Sequence, residues 1–180
     1  MISGYYGKSL DMIMMRVVDV LFSLPSFLLI IIFSTMFKGG MMPIIVLISF
    51  FSWMHVARIV RAQTMTLKER EFVLSSKTLG ASDFRIMFAH IIPNISAAIV
   101  VAASLSIAES IIMESVLSFF GFGVKPPIPS WGNMLQEAQK FILHQPNLAI
   151  FPGVMILLVV LSLNVLGDIV RDNFEDSNMN

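Results

Sequence analysis

Few side chains in this sequence can do chemistry, and their spacing narrows what it can be. Two carboxylates, Glu109 and Glu114, stand inside one long apolar run. Five residues apart on a helix, they point about 140° apart, so they do not form a paired acid–base site. Carboxylates in such a run are costly against lipid and belong facing protein or water. Glu109 is the better placed to line a polar pathway; Glu114 falls near the end of the run, where solvent reaches it. Asp19 and Asp168 sit near the ends of two other apolar runs, beside Arg16 and Arg171, whose long stems can snorkel. His55, His90 and His144 lie on separate segments, so no metal cluster is expected. The 14 methionines are spread irregularly and read as apolar filling. With no cysteine there is no thiolate nucleophile, thiolate metal site or disulfide. Neither a phosphate-cradling Gly-x-x-x-x-Gly-Lys nor a hydrolase elbow occurs. The expectation is a protein that is not an enzyme and holds no cofactor, with any energy source on another chain.

The elements that must position these groups are hydrophobic. Of the 180 residues, 56% are hydrophobic and 13% charged, and the mean hydropathy is +0.82. With apolar runs of span length, these values define a membrane protein of one domain, 1–180. A helical span takes roughly 20 apolar residues. Four runs qualify, at about 17–37, 43–60, 95–117 and 148–170. Helices are the default, because a lone strand leaves backbone groups unpaired in lipid. Pro25 predicts a kink in the first span. The opening stretch MISGYYGKSLD has no long apolar core and no small-residue cleavage site, so no signal peptide is expected.

The formal net charge is zero, and no nucleic-acid partner is expected, but the positive charges are unevenly placed. Lys8, Arg16, Arg58, Arg61, Lys68, Arg70, Lys77, Arg85 and Arg171 fall on one side of this topology; only Lys38, Lys125 and Lys140 fall on the other. That asymmetry puts both termini and the middle loop in the cytoplasm. The outer segment, about 118–147, carries Phe119, Phe120, Phe122 and Trp131, as an interfacial aromatic belt does, and its PPIPS run cannot sit mid-helix.

The cytoplasmic loop, about 64–93, is the polar stretch that lipid would not hold. Thr66 and Glu69 have the spacing of a capping box, which predicts a helix over about 67–79. Gly80 follows where a left-handed residue is needed. Ser82 can cap a second short helix, with Asp83 in its first turn. Phe84, Met87, Phe88 and Ile91 share one face of that helix. Pro93 marks the return to the membrane. Such a module is either an amphipathic hairpin lying on the inner leaflet or a docking knob for a cytoplasmic partner.

These residues resemble the cytoplasmic loop of permease subunits of bacterial ABC importers. The signature there is Glu-Ala-Ala, three residues, Gly, nine residues, Ile, one residue, Leu-Pro. Here Gly80 takes the glycine slot, His90 the Ile slot, and Ile92-Pro93 the Leu-Pro slot. The context REF, LGAS, RI and HIIPN is similar to the dipeptide/oligopeptide/nickel branch, and to its C-type subunit in particular. ESVLSFFGFGVKPPIPSWGNML, from Glu114 to Leu135, is similar to that branch's outer segment, and MRVVDVLFSLPS, from Met15 to Ser26, to its third span. The three blocks in order carry the resemblance over nearly the whole chain. Leu74-Ser75-Ser76 stands in the Glu-Ala-Ala slot: the serines keep the small size, while any charge must come from neighbours such as Glu71 or Asp83. The chain starts at what resembles the end of the family's second span. The expectation is a fragment, a shortened product, or a chain whose missing spans another supplies.

The resemblance implies an all-α bundle of the binding-protein-dependent importer permease type in the inner membrane. It also implies a second permease subunit, two cytoplasmic ATPase subunits and an extracytoplasmic substrate-binding protein. Leu74, Ser75, Ser76, Gly80, Ala81, Ser82, Asp83 and Pro93 are then the ATPase-coupling residues. Ala98, Ala102, Ser106 and Ser110, four apart on the third span, let another helix approach closely. They serve either packing within this chain or, with Glu109, a pathway seam against the second permease. The substrate reading is peptide, with nickel as the alternative; a non-transporting membrane remnant or scaffold is the alternative of a different class.

Overall fold

The computed structural model describes residues 1–37 and 40–177, with side chains to residue 173. All regular elements among the described residues are helical: α1 (Ile2–Tyr6), α2 (Lys8–Ser23), α3 (Ser26–Met36), α4 (Met41–Leu67), α5 (Glu71–Thr78), α6 (Asp83–Ile86), a π turn (Met87–Ile91), α7 (Ile92–Phe119), α8 (Trp131–Ala138), a 3-10 turn (Gln139–Phe141) and α9 (Asn147–Ser177). Three helical runs are long and apolar enough to cross a membrane, namely α4, Asp83–Phe119 and α9. The bent pair α2–α3 makes a fourth if it counts as one span. The expected kink at Pro25 is a full break. Leu24 precedes a proline and is driven out of helical backbone, and Pro25, extended at φ −69° and ψ 94°, opens α3. Of the expected outer turn, Lys38 and Gly39 lie outside the described residues.

The chain forms two compact units. The first comprises Met1–Ser23, Trp53–Ala103 and the chain from Gly167. Its loop helices close over a core of Val73, Ile86, Met87, Ile91 and Ile95, with Met1, Tyr5, Val60, Leu67, Ala81 and Ile99 packed around it. For the loop members, removing such a side chain from water contributes about 1.5–3 kcal/mol each. Short α1 is held on the last turns of α4: a Cβ on Gly4 would stand 2.7 Å from the Arg61 carbonyl oxygen and 3.0 Å from Thr64 Cβ, so only glycine fits. Arg61 grips Asp11 with Nε and Nη2, each at 2.5 Å from a different carboxylate oxygen, and the Ser3 hydroxyl donates to the same carboxylate. This packing explains why α4 runs on to Leu67 and the Thr66–Glu69 capping box does not form. Thr66 is inside the helix, its hydroxyl donating to the Ala62 carbonyl at 3.2 Å; α5 starts only at Glu71, with Arg70 at its N-cap. Asp19 pairs not with Arg16 but with Arg58 of α4, at 2.8 Å. Arg58 also lies 4.0 Å over the Phe22 ring, which meets His55 edge-on.

The second unit comprises Leu24–Ser52 and Ser104–Leu166. The Ser34 hydroxyl of α3 donates to the Phe122 carbonyl at 2.6 Å. α8, a helix unforeseen in the outer segment, starts where the Ser130 hydroxyl accepts the Asn133 amide at 3.2 Å. It packs onto α7 through Gly132. A Cβ there would stand 2.3 Å from the Ser115 carbonyl oxygen and 2.6 Å from Ser118 Cβ. Those atoms belong to a packed helix and cannot swing aside. Gly132→Ala is therefore expected to cost about 2 kcal/mol, within the usual range for overpacking. The check is the thermal unfolding midpoint in detergent against Gly153→Ala, where an added Cβ meets nothing within 4 Å and the helix gains rather than loses.

Candidate functional site

The middle loop is a rigid turn between two helices. α5 ends in paired capping bonds: the Ala81 amide donates to the Ser76 carbonyl and the Gly80 amide to the Lys77 carbonyl, each at 3.1 Å. This six-to-one and five-to-two pair is a Schellman motif, and it requires left-handed backbone past the helix. Gly80 supplies it at φ +83°. The Ser82 hydroxyl accepts the Arg85 amide at 3.4 Å, the cap expected from the sequence. The Tyr5 hydroxyl, from α1, donates to Asp83 Oδ1 at 2.8 Å and fastens the turn from behind. Burial and this bond to a carboxylate push the Tyr5 phenol up to about 12, so it stays a donor.

The turn exposes an apolar tip. Leu79 is 87% exposed, Phe84 69% and Phe88 55%, and the two rings stack with centroids 5.1 Å apart. The face that packs inward is set by Val73, Ile86, Met87 and Ile91. Of the apolar face expected over α6 and the π turn, Met87 and Ile91 are therefore buried while Phe84 and Phe88 point out. Likewise Val73, not Leu74 and Ser75, packs behind the turn: Leu74 and Ser75 are exposed, about 100° around the helix for each residue. Ser76 is half-buried, its hydroxyl donating to the Phe72 carbonyl at 2.8 Å and lying 3.4 Å from His90 Nε2.

Pro93, expected at the return to the membrane, interrupts no helix. Asp83–Phe119 is one helical run, and Pro93 lies two residues past its π turn. The ladder shifts there, the Ile92 amide reaching back to the Met87 carbonyl, so a residue without an N–H is tolerated without breaking the helix. The Asn94 amide group caps the His90 carbonyl at 2.6 Å.

The row of small residues on α7 divides. Ala98 is half-buried and Ala102 buried, both in the first unit. Ser106 and Ser110 line a cavity of about 490 Å³ in the second unit, facing Ser49 and Ser52 of α4. Glu114 also lines this cavity, while Glu109 lies exposed on the helix and outside its walls. The Ser118 hydroxyl donates to Glu114 Oε1 at 2.5 Å and accepts the Val124 amide at 3.0 Å. Sequence spacing separated the two carboxylates correctly but could not say which faced a cavity; that needed the position of α4 and the outer segment. No group of side chains suited to hold a metal ion occurs among the described residues.

Helices long enough for the membrane, joined by a polar helix–glycine–helix loop, are those of a multi-span helical membrane protein. Residues 1–178 match the family described as binding-protein-dependent transport system inner membrane component, and the chain belongs to it. It is 42% identical over 172 residues to the glutathione transport system permease protein GsiD of Pectobacterium atrosepticum, covering 96% of this chain and 57% of that protein. It is 39% identical over 171 residues to the oligopeptide transport system permease protein OppC of Bacillus subtilis, covering 95% and 56%. A GsiD of Escherichia coli is 41% identical over 168 residues, covering 93% and 55%. The chain thus spans about half the length of these curated relatives.

Proposed function

We propose that this chain forms part of the translocation pathway of an ATP-driven importer of short peptides in the inner membrane. It acts beside a second permease subunit, two cytoplasmic ATPase subunits and an extracytoplasmic binding protein. Peptide is favoured as substrate because the relatives are named for glutathione and oligopeptide transport. The positive charges favour cytoplasmic termini and a cytoplasmic coupling loop. The observation that carries the coupling role is the tip made by Leu79, Phe84 and Phe88, exposed on a turn that Gly80, Ser82 and Tyr5 make stiff. An apolar tip left uncovered by the described residues is suited to a cleft on another protein. Ala81, Ser82 and Asp83 form the turn beside it, and Glu69, Glu71 and Asp83 are carboxylates of the same loop. Leu74 and Ser75 lie exposed on α5 and are available to the same cleft. ATP binding closes the ATPase pair, and the seated turn transmits that motion to the spans as a rigid-body displacement.

The test is crosslinking in membranes. The chain has no cysteine, so Ser82→Cys paired with single cysteines along the ATPase cleft reports one contact only. Crosslinks that change in yield with ATP are expected. Their absence, with all subunits folded and assembled, removes the docking role.

A further inference from the structure

The cavity on the second unit is walled by serines and one carboxylate set among apolar side chains. Ser110 has already given its hydroxyl hydrogen to the Ser106 carbonyl at 2.7 Å, and Ser52 its own to the Ile48 carbonyl at 2.8 Å. Each then faces a ligand with acceptor lone pairs only. The Glu114 carboxyl accepts one bond, from Ser118, which leaves most of its lone pairs open. Ser49, Ser106 and Ser130 line it too, and the rest of the wall is apolar, with Ile48, Ile111 and Trp131 among it. A carboxylate set in an apolar wall of a membrane helix calls for a positive partner or water. At about 490 Å³ the space has the size of a small-molecule site.

We infer that this cavity is a binding subsite for a primary ammonium group, with Glu114 as its counter-charge, Ser52 and Ser110 as acceptors, and the isoleucines beside it taking an apolar substituent. A protonated amine brings the positive charge that Glu114 calls for together with hydrogens for serine acceptors, which a neutral hydroxyl or amide does not. The ammonium assignment rests on the cavity alone. Its identification with the free amino terminus of a short peptide rests on the function proposed above. The site then reads the end of the substrate by charge and leaves its side chains loosely specified.

Trp131 lines the cavity and reports on it directly once the other tryptophan is removed by Trp53→Phe. The whole chain carrying that change, in nanodiscs, is titrated with alanyl-alanine, with N-acetyl-alanyl-alanine and with potassium chloride at matched ionic strength. Saturable change of Trp131 fluorescence is expected with the free dipeptide alone. Glu114→Gln is expected to weaken it tenfold or more, and Glu114→Asp by less. Equal binding of the acetylated dipeptide overturns the inference without any variant having to fold, and so does a signal reproduced by potassium or no signal at all. Because the readout needs neither ATP nor an ATPase, a chain that binds alanyl-alanine but supports no uptake would leave the subsite standing and sink the importer role instead.

Discussion

Asp11→Ala is expected to be the most destabilising single change in the first unit, at about 2–3 kcal/mol. The carboxylate has three bonds to lose, two from Arg61 and one from Ser3. Its side chain is only 13% exposed, and that of Arg61 31%. Removing one partner of a buried ion pair typically costs 3–5 kcal/mol, because the other charge is left unsatisfied; partial exposure of Arg61 brings the figure down. The cost of a lone cation should largely vanish when both go. Asp11→Ala/Arg61→Ala is therefore expected to be more stable than the sum of the single changes predicts, by about 1–3 kcal/mol of coupling. Thermal unfolding of the four proteins of the cycle in detergent measures it. Additive losses would mean that Asp11 and Arg61 act independently and that the pair does not fasten α2 to α4.

Leu79→Asp/Phe84→Asp has the largest expected effect on transport. Both side chains are more than two-thirds exposed, so the folded chain loses little, within about 0.5 kcal/mol. A charged tip in an apolar cleft is a different matter. Central apolar anchors of an interface contribute about 2 kcal/mol or more each, and 2 kcal/mol is roughly 30-fold in affinity. Co-purification of the ATPase with the permease pair and ATP-dependent uptake into proteoliposomes should both fall at least that far, with the unfolding midpoint unchanged. Uptake at the wild-type rate with both aspartates present would rule the tip out as the docking contact.

The loop was the most legible part of the sequence. Gly80 and Ser82 act locally, through a positive φ and a hydroxyl cap, and local chemistry depends on few neighbours. The Thr66–Glu69 capping box has the same local signature yet does not form, because Gly4 lets α1 pack against α4 and holds its last turns helical. Pro93, expected where the chain returns to the membrane, sits inside a continuous helix because the π turn just before it shifts the ladder. Leu74 and Val73 are equally apolar neighbours, and only the position of Ile86 and Ile91 decides that Val73 is the one inside.

By itself the sequence determined the membrane class, the helical spans, the glycine turn and the block resemblance to importer permeases, since composition, run length and short-range caps are properties of contiguous residues. The tertiary structure decided which long-range partners those residues meet. Asp11 with Arg61, Asp19 with Arg58, Tyr5 with Asp83, and Glu114 rather than Glu109 at a cavity all join segments far apart in the chain. No periodicity within one helix specifies the rotation of the next, so these pairings exist only once the helices have packed.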